Sequence, residues 1–301
     1  GLLIIGCVNR PTSGPYALSS RSSNTESDLF QLPQNDFYEM YKDEGFQLNK
    51  FGVSVHLFCA SYNESFCDIT TMATLCSLTS GHCYFYKDFD ESKCHKLHLD
   101  LFQTLNDNYF WNSSLRVYYS YGLKLSRVYA NCSLKMDNIL SFPILGKNDT
   151  VALEFIVDKS IVHLKVHFQV FFTFTRSDNK KIFRVMNFKI AKSNNPLNVC
   201  NAIDEASLMA MITRHVIGMI IHNGSTFALN ELRKRIIEMF SKNTKYRSLL
   251  FLLHSLLANP ILNSTLTIDE KMANLMRLRS IKTIDLLLFF YPRLFSLTSP
   301  I

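Results

Sequence analysis

The hydrophobic pattern of this chain changes period twice. In residues 1–107, short apolar runs alternate with amphipathic stretches. Leu2 to Val8 predicts a first strand, followed by a polar loop from Asn9 to Ser27 with Pro11, Gly14 and Pro15. Asp36 is placed to cap a short helix with Phe37, Met40 and Tyr41 on one face. Phe51 to Ala60 is nearly all apolar, as a parallel strand buried on both faces requires. Asp68 predicts the start of a helix through Cys76, Gly81 a turn, His82 to Tyr86 a third strand, and Lys96 to Leu105 an amphipathic helix. Strand and helix in alternation predict an α/β block.

From 108 to 200 the period drops to two. Leu115, Val117, Tyr119 and Tyr121 alternate with Arg116, Tyr118 and Ser120, and Val151, Leu153, Phe155 and Val157 repeat the pattern. Val162, Leu164, Val166, Phe168, Val170, Phe172 and Phe174 fall on one face of a long strand, with His163, Lys165, His167, Gln169 and Thr173 on the other. Ser177-Asp178-Asn179 predicts a turn and Lys181 to Ile190 the returning strand. This block is expected to be an antiparallel β-sandwich. Residues 201–301 carry helical spacing. Asp204-Glu205 opens a helix with Leu208, Met209, Ile212, Val216 and Ile217 inward, and His222-Asn223-Gly224-Ser225 ends it. Asn230 is expected to cap a second helix that turns Leu232, Ile236, Ile237 and Phe240 inward. The stretch from Tyr246 to Leu297 supplies three more, at Leu249–Leu257, Ile268–Leu278 and Ile284–Phe290, with Asn259-Pro260 ending the first. The fold class is thus multidomain α+β: 1–107 α/β, 108–200 antiparallel β-sandwich and 201–301 all-α.

Composition narrows the function. Hydrophobic residues make up 47% and charged residues 19%, which supports a sizeable core. The formal charge of +7 suits an acidic membrane surface or acidic partners, while the scatter of the basic residues argues against nucleic acid. Eight cysteines form no C-x-x-C pair, and His82-Cys83 with Cys94-His95 lacks zinc spacing. No apolar stretch reaches the ~20 residues of a membrane span. The sequence holds none of the Gly-rich phosphate loops, nucleophile elbows or H-E-x-x-H zinc motifs. His163 and His167, four apart on a strand, would lie ~13 Å apart and could not share a metal. Arg214-His215 is expected at a helix edge, and Asp269-Glu270 in a favourable first helical turn. Nothing here argues for an enzyme. Six N-x-[ST] sequons, beginning at Asn63, Asn112, Asn131, Asn148, Asn223 and Asn263, leave a secreted glycosylated binding protein as one alternative.

Several short motifs occur in a fixed order. Asp36-Phe37-Tyr38 follows the lead Leu32-Pro33-Gln34-Asn35. Val53 to Phe58 fits V-x-V-D-L-F with His56 at the Asp position, and Gly81 with Tyr84-Phe85-Tyr86 fits G-x-x-Y-Y-Y. Leu115-Arg116-Val117 with Gly122-Leu123 fits M-R-x-R-x-x-x-G-L, Tyr118 replacing the second Arg. Lys181 to Val185 fits R-R-I-R-V, with Ile182 replacing one Arg and Arg184 matching the last. Leu229-Asn230-Glu231-Leu232-Arg233 fits L-S-D-A-R, and Ile268-Asp269-Glu270-Lys271 fits L-D-E-R. Leu286-Leu287-Leu288 with Tyr291-Pro292-Arg293-Leu294-Phe295 fits L-L-L-Y-I-Y-P-D-L-Y. Together they resemble the cargo-adaptor subunit of the inner COPII vesicle coat, the Sec twenty-four family, in a divergent and truncated form.

The resemblance implies that 1–107 is the later part of a von Willebrand A-like trunk, 108–200 the β-sandwich and 201–301 the helical domain. It implies no cofactor in this chain; the family's zinc finger would lie N-terminal to it and the gelsolin-like domain after it. It further implies a cytoplasmic, non-enzymatic adaptor, peripheral on the endoplasmic reticulum membrane and on COPII vesicles. Its partners would be the GTPase-activating coat subunit, the cytosolic tails of membrane cargo and an acidic membrane surface. The GTPase-activating subunit itself is the other alternative. Phe172, Phe174, Lys181 and Arg184 are the candidate cargo-signal residues, because basic side chains can hold an acidic signal by charge-assisted hydrogen bonds.

Overall fold

The computed structural model describes residues 1–21, 29–30, 36–62, 66–135, 139–158, 161, 163–242, 247–263 and 266–291. The lead at 32–35, Val162, Tyr246 and the stretch from Pro292 to Leu297 lie outside the described residues, as do the side chains of Asp36, Phe37 and Phe240.

Strands β1 (Leu2–Cys7), β2 (Ser54–Ala60) and β3 (Cys83–Tyr86) form a three-stranded parallel sheet in the order β1-β2-β3. The central position of β2 explains its nearly all-apolar run: its residues from Ser54 to Cys59 are all buried, Ser54 and His56 included. Helices α1 (Asp36–Lys50), α2 (Ile69–Leu78) and α3 (Cys94–Asn106) complete the block. Helix α1 is 15 residues long, not short, and Met40 is exposed. Its inward face is Tyr41, Gly45 and Asn49, because α1 packs closely on α2 at a glycine. A Cβ at Gly45 would sit 2.9 Å from Leu78 Cδ1. Asp68 caps α2 from a left-handed conformation, accepting a hydrogen bond from the Thr71 N–H. Helix α3 turns Leu99, Phe102 and Leu105 to solvent and buries only Thr104.

Among the described residues the second block has the strands β4 (Phe110–Tyr119), β5 (Leu123–Tyr129), β6 (Ser133–Lys135), β7 (Ile139–Leu145), β8 (Ala152–Val157), β9 (Lys165–Thr175) and β10 (Lys181–Ala191). They form a five-stranded sheet, β10-β9-β4-β7-β6, and a two-stranded sheet, β5-β8. Ala130, Leu140 and Phe142 are the buried centre, with Leu115, Val128 and Leu153 against them. The phase expected for β9 holds: Val166 and Phe174 are buried, and Phe155 of β8 meets Phe168 edge-on at 5.1 Å. Leu164, however, precedes the strand and is 80% exposed. The hairpin to β10 turns through Asn179 at φ 65°, whose N–H donates to Arg176 O at 3.0 Å.

Helices α4 (Pro196–Asn201), α5 (Glu205–Asn223), α6 (Ser225–Lys242), α7 (Arg247–Ala258), α8 (Ile268–Ser280) and α9 (Thr283–Phe290) form the third block. Asp204 caps α5 and Gly224, at φ 84°, ends it. The next helix starts at once, at Ser225. Asn230 is therefore inside α6 and caps nothing, and Ile237 faces solvent at 68% exposure. Arg214 is not at a helix edge. It is buried and donates to the carbonyls of Arg279 and Ile281 at 3.3 and 2.8 Å. Thr267 and Glu270 form a capping box at the start of α8.

The first and third blocks share one hydrophobic core. Leu57, Ile69 and Ala73 belong to the same buried cluster as Met272, Leu275 and Leu278. Asp269 crosses the same boundary: its buried carboxylate accepts hydrogen bonds from the N–H groups of Cys67 and Ile69 at 2.7 and 2.9 Å.

Candidate functional site

The four residues expected to read an acidic signal lie on the β9–β10 hairpin, and pairing register decides which of them meet. Arg184 stands opposite Phe172 and Ile182 opposite Phe174, so these four side chains share the face turned toward β5-β8. Lys181 stands opposite Thr175 and points to the other face, where its Nζ lies 5.4 Å from the Phe183 ring. Phe174 is 5% exposed and its ring is 4.5 Å from that of Phe110. It is a core residue, closed to a ligand. What remains on one face is Arg184, exposed, beside the half-buried Phe172. The four expected residues do not form one pocket.

A second feature was not foreseen. The three blocks meet around a polar cavity of about 450 Å³, lined among others by His82, Asp100, Asp107, Asp149, Arg277 and Asp285. His82 Nε2 lies 3.3 Å from Asp149 Oδ1. Burial lowers the His82 pKa, but the charge and hydrogen bond of Asp149 outweigh it, so the ring titrates above its ordinary value. Behind it His56 is buried, its ring 5.1 Å from that of His82, and among the described residues neither of its ring nitrogens has a hydrogen-bond partner. Burial, then the nearby His82, holds His56 well below the usual histidine range. Asp149 also carries the junction: the Thr150 N–H donates to Ser280 O at 2.6 Å, and Asp149 bridges Ile281. Only the H-C dipeptide at 82–83 marked this place in the sequence.

Cys83, the thiol in the cavity wall, is not activated. Burial pushes the Cys83 thiol well up, which keeps it protonated. Among the described residues no group of three or more His, Cys, Asp or Glu side chains is disposed to hold a metal, and no helix is long and apolar enough to cross a membrane.

Comparison with known proteins gives the family. The Sec23/Sec24 trunk domain model matches residues 1–105, and the Sec23/Sec24 beta-sandwich domain model matches residues 110–193. The chain belongs to the Sec23/Sec24 family. Its relatives include the protein transport protein SEC24 of Komagataella pastoris, 24% identical over 80% of this chain and 25% of the relative. SEC24 of Dictyostelium discoideum is 26% identical over 70% of this chain and 20% of the relative. SEC24 of Debaryomyces hansenii is 24% identical over 99% of this chain and 35% of the relative. The crystal structure of the human COPII-coat protein Sec24c superposes with a TM-score of 0.87 at 19% identity, over 100% of this chain and 43% of that one. That superposition gives the same fold across all three blocks. The chain spans about a quarter of the length of the first of these relatives.

Proposed function

We propose that this chain is the trunk, sandwich and helical part of a non-enzymatic COPII inner-coat adaptor, which selects cargo for transport from the endoplasmic reticulum to the Golgi. The observation that carries the reading is the likeness to Sec24c over the whole chain, joined to relatives named as SEC24 protein transport proteins. In this reading the protein is cytoplasmic and peripheral on the endoplasmic reticulum membrane and on COPII vesicles. It pairs with the GTPase-activating coat subunit, lies on acidic lipid through basic residues and binds cytosolic tails of cargo. Arg184 beside Phe172 is the part of the expected cargo site that stays accessible. An acidic tail would reach Arg184 by a charge-assisted hydrogen bond and set an apolar side chain against Phe172.

The test is co-purification of the full-length gene product with the GTPase-activating coat subunit. A stable heterodimer at micromolar concentration is expected, and its absence refutes the adaptor reading. The matching domain models are common to Sec23 and Sec24, which supports a second reading, the GTPase activator itself. Stimulated GTP hydrolysis by the purified protein, without a partner subunit, would decide for that reading.

A further inference from the structure

Three thiols converge inside the first block, away from the polar cavity. Cys7 ends β1 and Cys59 lies in β2, and the parallel register sets the two directly opposite each other. Partners at one register position turn their side chains to the same face of the sheet. Neighbouring strands stand about 4.8 Å apart, inside the roughly 4.4–6.8 Å that a disulfide spans between Cα atoms. Cys67 comes from the segment before α2, and its Sγ donates to Asn9 Oδ1 at 3.9 Å. The Cys59 thiol is in hydrogen-bond contact with both Cys67 and Cys7. Cys59 and Cys67 are fully buried, and Cys7 is half-buried. All of these contacts are made between segments inside the block, so they do not depend on which surface stays open.

The three sulfurs are not equivalent. The Cys59 S–H donates toward Cys7, which favours the Cys7 thiolate and takes its pKa below the ordinary thiol value, although burial opposes this. Cys59 itself is held protonated, by its hydrogen bonds to Cys67 and Cys7 and then by burial. Two more thiols of the same core stay protonated as well: burial pushes Cys76 up to about 12 and Cys83 well up. A thiol that ionises readily, with a second thiol in contact to resolve it, is the arrangement found in oxidisable cysteines. Among the described residues the cluster is not disposed to hold a metal.

We propose that Cys7 and Cys59 are a modification site, a dithiol that a hydroperoxide oxidises to a disulfide joining β1 to β2. In the first step the Cys7 thiolate attacks the terminal oxygen of the hydroperoxide. An S–O bond forms, the O–O bond breaks, and the departing alkoxide takes up a proton and leaves as an alcohol, or as water from hydrogen peroxide. In the second step the Cys59 sulfur attacks the Cys7 sulfenic acid. The S–S bond forms, the S–O bond breaks, and the hydroxyl leaves as water with the Cys59 proton. The two thiols together lose two electrons and two protons, and the hydroperoxide is reduced by the same amount. A dithiol reductant reverses the bridge by exchange, so in a reducing compartment it is transient. The site lies beside the boundary of the first and third blocks, because the Cys67 N–H is one of the two donors held by Asp269. The inference is independent of the coat reading, since it follows from the register of β1 on β2.

The experiment treats the full-length gene product with hydrogen peroxide, blocks the remaining thiols with an alkylating agent and maps the unreduced peptides by mass. The Cys7 peptide is expected joined to the Cys59 peptide, lighter than their sum by two hydrogens, and dithiothreitol should separate them. Cys7→Ser is expected to slow the loss of the Cys59 thiol about tenfold or more, because a buried, protonated thiol reacts poorly by itself. Cys59→Ala should leave Cys7 as a sulfenic acid that dimedone traps. The parent protein decides the matter even where a variant fails to fold. A bridge from Cys59 to Cys67, or from Cys7 to any other cysteine, overturns the proposal. So does oxidation of Cys7 to the sulfinic acid while Cys59 can still be alkylated, or a Cys7–Cys59 bridge that forms equally fast in urea. None of these results bears on heterodimer formation with the coat subunit, which tests the adaptor reading separately.

Discussion

Asp269 holds the helical block onto the trunk, and replacing it tests whether the two fold as a unit. Its carboxylate is 3% exposed and satisfies the N–H groups of Cys67 and Ile69, where α2 begins. Asp269→Ala leaves both donors buried without an acceptor. An orphaned buried donor costs about 1–3 kcal/mol, so the expected loss is about 2–6 kcal/mol. That is a large part of the stability of an ordinary domain. Asp269→Asn keeps one carbonyl oxygen and is expected to lose about half as much. The pH dependence separates charge from geometry. Burial raises the Asp269 pKa above 3.8, and the two backbone hydrogen bonds offset this in part. Between the unfolded value and the raised folded value, the native state binds more protons than the unfolded one. The contribution of this group therefore falls as pH rises through that window. The Asn variant lacks this slope. Urea denaturation of the three proteins from pH 4 to 7, followed by fluorescence and circular dichroism, reads both effects. An Asp269→Ala variant within about 0.5 kcal/mol of the parent would refute the reasoning, because a loss that small is ordinary for a surface position.

Three further outcomes are expected. His82 has a raised pKa because of Asp149, so its contribution to stability is full below the unfolded histidine value and is lost as pH rises through the folded one. Asp149→Asn should abolish that dependence, and a chemical-shift titration of His82 that stays at its ordinary value in the parent would contradict it. Gly81→Ala should destabilise by several kcal/mol or prevent folding, because its Cβ would stand 1.7 Å from Val55 O, a backbone atom that cannot swing away. A thermal melt near that of the parent would disprove this. Residues 1–107 alone should show no cooperative melting transition, since Leu57, Ile69 and Ala73 complete their core only with Met272, Leu275 and Leu278 of the helical block.

Local patterns were legible where their cause was local. The nearly all-apolar run of β2, the alternation of β9, the Asp68 and Asp204 caps and the Asn179 turn are each set by neighbours within a few residues. The errors arise where a second signal intervenes. Asn230 has the chemistry of a cap, but Gly224 had already restarted the helix at Ser225. Strand β7 carries Pro143 and is bracketed by no clean alternation, yet it lies between β4 and β6 and is almost wholly buried. Arg214 reads as a helix-edge residue and Asp269 as a first-turn charge, and nothing nearby in the chain signals that carbonyls at the end of α8 and amides at the start of α2 will meet them.

The candidate site shows the same division in one place. Lys181 and Arg184 were grouped because both are basic and both fit the family motif. A spacing of three in a strand puts them on opposite faces, and period two alone was enough to separate them. What period two could not give is the pairing of Arg184 with Phe172, which depends on the length of the turn, or the burial of Phe174 under Phe110, which depends on β4. Motif and charge pointed to the β9–β10 hairpin. Register then divided its residues among a core position, an accessible Arg184–Phe172 pair and the opposite face. That division is why the four expected residues do not form one pocket.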